Sequence, residues 1–219
     1  MEVKLNNFLC LSINDVRYNY TNNIFKKYGL PELKKYEGFT KNTFRNSELS
    51  CLFGHMSFTM IARYLDLPYY FFFEDDAYPR SDVKEKLEFY IKNRPPDCGI
   101  LVLGRNGEYG EIDYTYDNYH IVMQRPFGAH AYLVFKEAYN ELIKSFEKEK
   151  IADIALKGEN FTKYRPYWTN EYLFIQKNLD SNCMSKNLVE KNGNYFYPKL
   201  DGRQGLGIHF KLPPDPKWE

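Results

Sequence analysis

The most restrictive feature of this chain is Tyr69-Tyr70-Phe71-Phe72-Phe73, five aromatic residues followed at once by Glu74-Asp75-Asp76. A continuous apolar run without polar alternation reads as a strand buried on both faces, and such strands belong to sheets covered by helices on each side. The carboxylates cannot follow the strand into the core, because neighbouring charges repel one another and burial removes their water. They therefore mark where the strand leaves the core. Ligands of open α/β sheets bind beyond the carboxyl ends of strands, so the triplet is placed where a site is expected. The competing reading is a solvated turn that caps the following helix.

The flanking sequence supplies the helices. Phe8 to Ile13 is a β-rich run; polar Asn14 and Asp15 follow, then Val16, Tyr20, Ile24 and Tyr28 at helical spacing, ended by Gly29 and Pro31. Lys35 to Gly38 reads as a short strand, and Asn46 or Ser47 caps a long helix to about Asp66, which Pro68 stops. Ser81 or Asp82 caps a helix to about Asn93, and Pro95-Pro96 leads into a buried strand, Gly99 to Leu103. The Tyr-rich stretch from Gly107 to Met123 reads as a hairpin turning at Asp117-Asn118. A strand from Ala129 to Phe135 precedes a helix through Ala138, Leu142, Ile143 and Phe146, and another helix is expected to begin near Thr169. Beyond it lie Tyr195 to Tyr197, a loop with Asp201, Gly202, Gly205 and Gly207, and Ile208-His209-Phe210. This alternation predicts an α/β fold, with all 219 residues in one domain.

A net charge of +1 gives no general electrostatic reason to expect nucleic acid or an anionic membrane as partner. Lys26-Lys27 and Lys34-Lys35 offer a modest basic surface, enough for peripheral membrane contact at most. Met1 to Cys10, with Glu2 and Lys4, resembles neither a secretory signal nor an anchor. Cys10, Cys51, Cys98 and Cys183 lack CxxC spacing and read as reduced thiols of a cytoplasmic protein. Aromatic residues make up 18% of the chain and read first as core strands, with a carbohydrate-stacking surface as the alternative; Trp168 is a candidate either for stacking on a sugar face or for core filling.

Clustered carboxylates stay ionised together most readily around a cation. Hard oxygen ligands at a strand end suit Mg²⁺ or Mn²⁺, which keep open positions for diphosphate oxygens. Metal-dependent nucleotidyl or phosphoryl transfer uses similar carboxylates, but the chain has no GxxxxGK[ST] loop. A carbohydrate-binding relative that has lost its chemistry is a further alternative, against which the intact triplet speaks.

In order and spacing the motifs resemble glycosyltransferase family 25, the lipopolysaccharide-biosynthesis and collagen-type galactosyltransferases. Leu9 to Ile13, Asn14-Asp15 and Arg17 are similar to the family's opening strand, polar loop and helix-heading arginine, and Gly29-Leu30 to a later pair. Glu48, Cys51 and His55 match its acidic, Cys- and Ser-His-containing helix, although Gly54 stands where the serine belongs and Ser57 is the nearest substitute. Phe71 to Asp76 matches the apolar strand and Glu-Asp-Asp motif, Leu103-Gly104 a Leu-Gly pair, and Gly128-Ala129-His130-Ala131-Tyr132 a later glycine pattern. Tyr197-Pro198, Leu200 and Gln204 resemble its downstream segment.

The resemblance implies a GT-A type domain with a mixed, mainly parallel central sheet flanked by helices. It also implies transfer of a hexose, galactose first, from a UDP-sugar to a glycan or glycolipid acceptor such as a lipooligosaccharide, with inversion. Mn²⁺ (or Mg²⁺) would bridge the diphosphate to Asp76 and Glu74, with His209 completing the shell. Ser12, Asn14, Arg17, His55, Glu74, Asp75 and Gly128 would line the donor site. The catalytic base is Glu171 or Asp153, with Glu171 the better match to the downstream spacing.

Overall fold

In the computed structural model, residues 4–40, 43, 46–104, 112–116, 118–122, 128–176, 189–191, 194–196 and 210–211 are described. β1 (Phe8–Ser12), α1 (Asp15–Lys27), β2 (Lys34–Glu37) and α2 (Ser47–Tyr64) precede the central strand β3 (Tyr69–Glu74). Then come β4 (Ala77–Pro79), α3 (Val83–Lys92), β5 (Cys98–Val102), β6 (Ile112–Tyr116), β7 (Tyr119–Val122), β8 (Ala131–Phe135) and α4 (Tyr139–Lys148). A short α5 (Ala152–Ala155) is followed by β9 (Arg165–Thr169) and β10 (Phe174–Gln176). A small sheet joins β11 (Val189–Lys191), β12 (Asn194–Phe196) and β13 (Phe210–Lys211).

The main sheet has eight strands in the order β2-β1-β3-β8-β5-β9-β7-β6. β1 is parallel to β2 and β3, and β9 to β5, whereas β8 opposes both β3 and β5, and β7 opposes both β9 and β6. Only β8 and β7 therefore run against the common direction, which makes the sheet mixed and mainly parallel. The carboxyl ends of β1, β3, β5 and β9 share one edge. The start of β8 opens onto the same edge, since Ala131 sits opposite Phe73.

The unbroken aromatic run of β3 follows from a sheet covered on both faces. Phe71 and Phe73 join Phe8, Phe25, Leu87 and Tyr90 on the α1 and α3 side. Tyr70 and Phe72, pointing the other way by the strand's period of two, join Phe58, Tyr132, Leu142 and Phe146 under α2 and α4. Phe72 stacks on Tyr132 with ring centroids 4.7 Å apart, and Phe73 meets Phe25 edge-on at 4.8 Å. Burying each such ring is worth roughly 2–3 kcal/mol, so β3 anchors both layers.

Of the caps read from sequence, Asn46 is confirmed, and Asn14, a loop residue in that reading, caps α1 as well. Asn14 Oδ1 accepts the amides of Val16 and Arg17, and Asn46 Oδ1 those of Glu48 and Leu49. Asp82 precedes α3 but makes no capping bond, because its carboxylate is taken by Arg80. The hairpin of β6 and β7 flanks residues 117–118, as expected.

One expectation fails: no helix begins near Thr169. Residues 166–169 are buried in β9 between β5 and β7, and the Thr169 hydroxyl donates to the Glu171 carbonyl at 2.8 Å, closing a bend instead of a helical turn. The chain then returns as β10 to pair antiparallel with β4, directly after the acidic turn. Among the described residues no helix is long and apolar enough to cross a membrane.

Candidate active site

The acidic triplet sits at the edge the topology predicts, with Glu74 ending β3 and Asp75 and Asp76 turning into β4. Each carboxylate faces a different set of partners. Asp75 looks toward α1: Ser12 Oγ donates to its Oδ2 at 2.6 Å, Arg17 Nη2 pairs with its Oδ1 at 2.5 Å, and Thr21 Oγ1 donates to its carbonyl at 2.5 Å. These bonds tie the turn to β1 and α1. Asp76 Oδ2 receives Arg17 Nη2 and Gln176 Nε2, both at 3.0 Å. Its other oxygen, Oδ1, is buried and has no hydrogen-bond partner among the described residues.

Glu74 spans two neighbourhoods. Oε1 lies 3.1 Å from His55 Nε2 and accepts from Cys51 Sγ at 3.5 Å, while Oε2 accepts from Gln176 Nε2 at 3.5 Å. His55 is wholly buried on α2, tilted against Phe72 with ring centroids 4.1 Å apart, with Nδ1 3.0 Å from the Tyr132 hydroxyl. Burial lowers its pKa to about 4, so the ring is neutral. A carboxylate on one side and a hydroxyl on the other then assign Nε2–H as donor to Glu74 and Nδ1 as acceptor from Tyr132.

Burial dominates the electrostatics. It pushes Asp76 up to about 8, helped by the charge of Glu74, and Glu74 up to about 7, helped by the charge of Asp153. Asp75 is also raised by burial, although Ser12 and Arg17 restrain it. Three acids and one nearby guanidinium leave an excess of negative charge. A cation against Asp76 Oδ1 and Glu74 would supply what this arrangement lacks, and the oxygen donors suit a hard ion such as Mn²⁺ or Mg²⁺.

Among the residues singled out from sequence, Ser12, Arg17, His55, Glu74, Asp75 and Asp76 are brought together. Asn14 is beside them, with its side chain serving as the α1 cap, and its carbonyl accepting from Ser12 Oγ at 2.9 Å. Gly128 has φ +129°, a backbone conformation that favours glycine, and its amide and that of Ala129 donate to Asp153 Oδ1 at 2.8 and 2.7 Å. Asp153 is half-buried, and its charge bears on both Glu74 and His55.

Glu171 has different surroundings. Its carboxylate pairs with Arg80 at 2.9 Å and Lys86 at 2.7 Å, next to α3. Burial would raise its pKa, but Lys86 and Arg80 outweigh that and hold it below the usual range. His209 and the Gly-rich loop at 201–207 lie outside the described residues. Trp168 is 2% exposed inside the core under α2 and α4, which leaves no face for a sugar.

The departure at Gly54 has a steric reason. A Cβ there would stand 2.7 Å from Leu11 Cδ2, so α2 rests too closely on β1 for a serine unless Leu11 moves. Ser57 does not take over that place: its hydroxyl donates to the Phe53 carbonyl at 2.7 Å within the helix. Gln176, which touches both Glu74 and Asp76, was missed from sequence. It reaches them only through the β10 and β4 pairing, and no local pattern announces it.

No family model and no curated protein matches the chain. Among solved structures it is similar to a glycosyltransferase involved in glycosylation of the major capsid of PBCV-1, with TM-score 0.53 and 12% identity over 80% of this chain and 93% of that one. The fold is GT-A-like. HddC from Yersinia pseudotuberculosis, complexed with GMP-PN, gives 0.43 at 14% identity, covering 77% of this chain and 92% of that one. A mutant Drosophila β-1,4-galactosyltransferase 7 with manganese, UDP-Gal and xylobiose gives 0.33 at 16% identity, covering 76% and 68%. Scores this low carry nothing about site or substrate.

Proposed function

We propose that the chain is a metal-dependent, inverting glycosyltransferase of the family 25 type. It transfers a hexose, galactose first, from a UDP-sugar to a glycan or glycolipid acceptor such as a lipooligosaccharide, with the whole chain acting as one domain on the cytoplasmic side of a membrane. The observation that carries the reading is the buried, unpartnered Asp76 Oδ1 beside Glu74 at the carboxyl end of the central strand of a GT-A-like fold. The family motifs around Arg17, His55 and the triplet support it.

Asp76 and Glu74 would hold Mn²⁺ (or Mg²⁺), with His209 as a further ligand. The ion's contribution is positive charge where the diphosphate of the leaving UDP accumulates negative charge. Arg17 pairs with Asp75 and Asp76, orients the turn and adds a fixed positive charge beside it. Ser12 and Thr21 hold Asp75 from below, so the turn is rigid before a donor arrives.

For the base, the arrangement favours Asp153 over Glu171. Two backbone amides fix Asp153 Oδ1, and Oδ2 makes no hydrogen bond among the described residues, leaving a carboxylate oxygen to take the acceptor hydroxyl's proton. Glu171 is neutralised by two cations and held at a depressed pKa, which makes it a weak base. The test is a panel of UDP-sugars assayed for binding, transfer and hydrolysis, with Mn²⁺ and with chelator. Metal-dependent turnover of UDP-galactose is expected, and failure to bind any UDP-sugar refutes the proposal.

A further inference from the structure

The oxygen of Glu74 that does not face Gln176 belongs to another cluster. Cys51 and His55 are four residues apart on α2, so their side chains lie one above the other on the same helical face. That face meets the end of β3, and the Cys51 Sγ, a His55 ring nitrogen and a Glu74 oxygen all lie within 4.8 Å of one another. We propose that Cys51, His55 and Glu74 form a second cation site, taking a thiophilic divalent ion of the Zn²⁺ class, separate from the hard-oxygen site at Asp76.

Two of the three separations match a tetrahedral shell, and the third, Cys51 Sγ to the His55 ring, is within 4.8 Å. With Zn–S near 2.3 Å and Zn–N or Zn–O near 2.0 Å, neighbouring ligands stand about 3.5 Å apart for sulfur and oxygen and about 3.3 Å for nitrogen and oxygen. The observed separations are 3.5 Å for Sγ to Oε1 and 3.1 Å for Nε2 to Oε1. The ligand set is also the right kind: thiolate and imidazole favour zinc over the magnesium and manganese preferred by all-oxygen sites.

The surroundings prepare the imidazole for this role. Phe72 and Tyr132 fix the plane of the His55 ring; with an ion on Nε2 the ring proton moves to Nδ1, which then donates to the Tyr132 hydroxyl, as metal-bound histidines donate to their outer-shell partners. Cys51 is half-buried and Glu74 keeps 22% of its side chain exposed, so an ion has a way in and a fourth position remains for water or another donor. The inference does not depend on the proposed transferase activity, because it uses Glu74 Oε1 and the α2 side chains, whereas the donor site centres on Asp76 and Glu74 Oε2.

The probe is Co²⁺ added to the reduced full-length chain, followed by near-ultraviolet absorption for sulfur-to-cobalt charge transfer, with Zn²⁺ as competitor. The wild type is expected to show the band and lose it to about one equivalent of Zn²⁺. Cys51→Ser, nearly isosteric and checked for folding by circular dichroism, should lack the band and bind Zn²⁺ at least about tenfold more weakly. Asp76→Asn should keep it. Zn²⁺ should raise the melting temperature of the wild type and of Asp76→Asn but not of Cys51→Ser. No charge-transfer band in the folded wild type overturns the proposal. So does a band that survives Cys51→Ser, which would place the ion on another thiol, or one lost in folded Asp76→Asn.

Discussion

Replacing Asp76 by Asn isolates the cost of holding a carboxylate in a buried place without a cation. Burial and the neighbouring Glu74 raise the Asp76 carboxyl from 3.8 to about 8 in the folded chain. A carboxyl whose folded pKa lies above its unfolded value keeps its proton in the native state and releases it on unfolding, so ionisation favours the unfolded chain increasingly as pH rises from about 4 to about 8. At about 1.4 kcal/mol per pKa unit, Asp76 titrating alone would cost about 4 kcal/mol at pH 7. Glu74 shares that proton, and the Asn amide would place a donor where Oδ1 finds no partner, so a net gain of about 2 kcal/mol is expected. In a chain of this size that raises the metal-free melting temperature at pH 7 by roughly 4–8 °C. The difference should narrow toward pH 4, where the folded carboxyl keeps its proton and the unfolded one is about half protonated. Adding Mn²⁺ should stabilise the wild type, by about 2.7 kcal/mol at a hundredfold excess over Kd, and leave the variant unmoved. Scanning calorimetry from pH 4 to pH 8 with and without Mn²⁺ measures all three quantities. A variant less stable than the wild type at pH 7 in chelator, or one that Mn²⁺ stabilises equally, would refute the reasoning.

The remaining predictions separate catalysis from scaffolding. Asp153→Asn should lower kcat by about 10²–10⁴ in a UDP-sugar transfer assay, while retained turnover would remove it as the base. Glu171→Gln should keep kcat within a few-fold and cost about 1 kcal/mol through the weakened Arg80 and Lys86 pairs, read by urea unfolding. Gly99→Ala should destabilise by about 2–3 kcal/mol, because its Cβ would stand 2.5 Å from Tyr164 Cβ and 2.9 Å from the Tyr164 carbonyl. Mn²⁺ affinity should rise with pH up to about 8, as Glu74 and Asp76 give up their protons to the ion, which a calorimetric titration series would show.

The parts of the fold legible in sequence are those written in local pattern. The aromatic run of β3, the Asn46 cap and the break at Pro68 each depend on a few adjacent residues, and each appears where expected. The segment after β9 was misread because Thr169 and its polar neighbours look like a helix start. The decision there is made by strands β5 and β7, which lie far away in sequence. The site divides in the same way. Glu74, Asp75 and Asp76 are contiguous and announce themselves, but their partners come from α1, α2 and β10. The spacing that singles out Glu171 carries no information about Arg80, 91 residues earlier, which pairs with it.

The return of β10 to β4 bears on the order in which this protein can be made. Gln176 meets Asp76 across 100 residues of chain, and that contact closes late, after every strand of the main sheet has been synthesised. A nascent chain that has not yet emerged to β10 would carry the acidic turn with an open strand edge at β4 and one fewer donor on Asp76. The site would thus be the last part of the sheet layer to set, slow to close because its contact spans so much sequence.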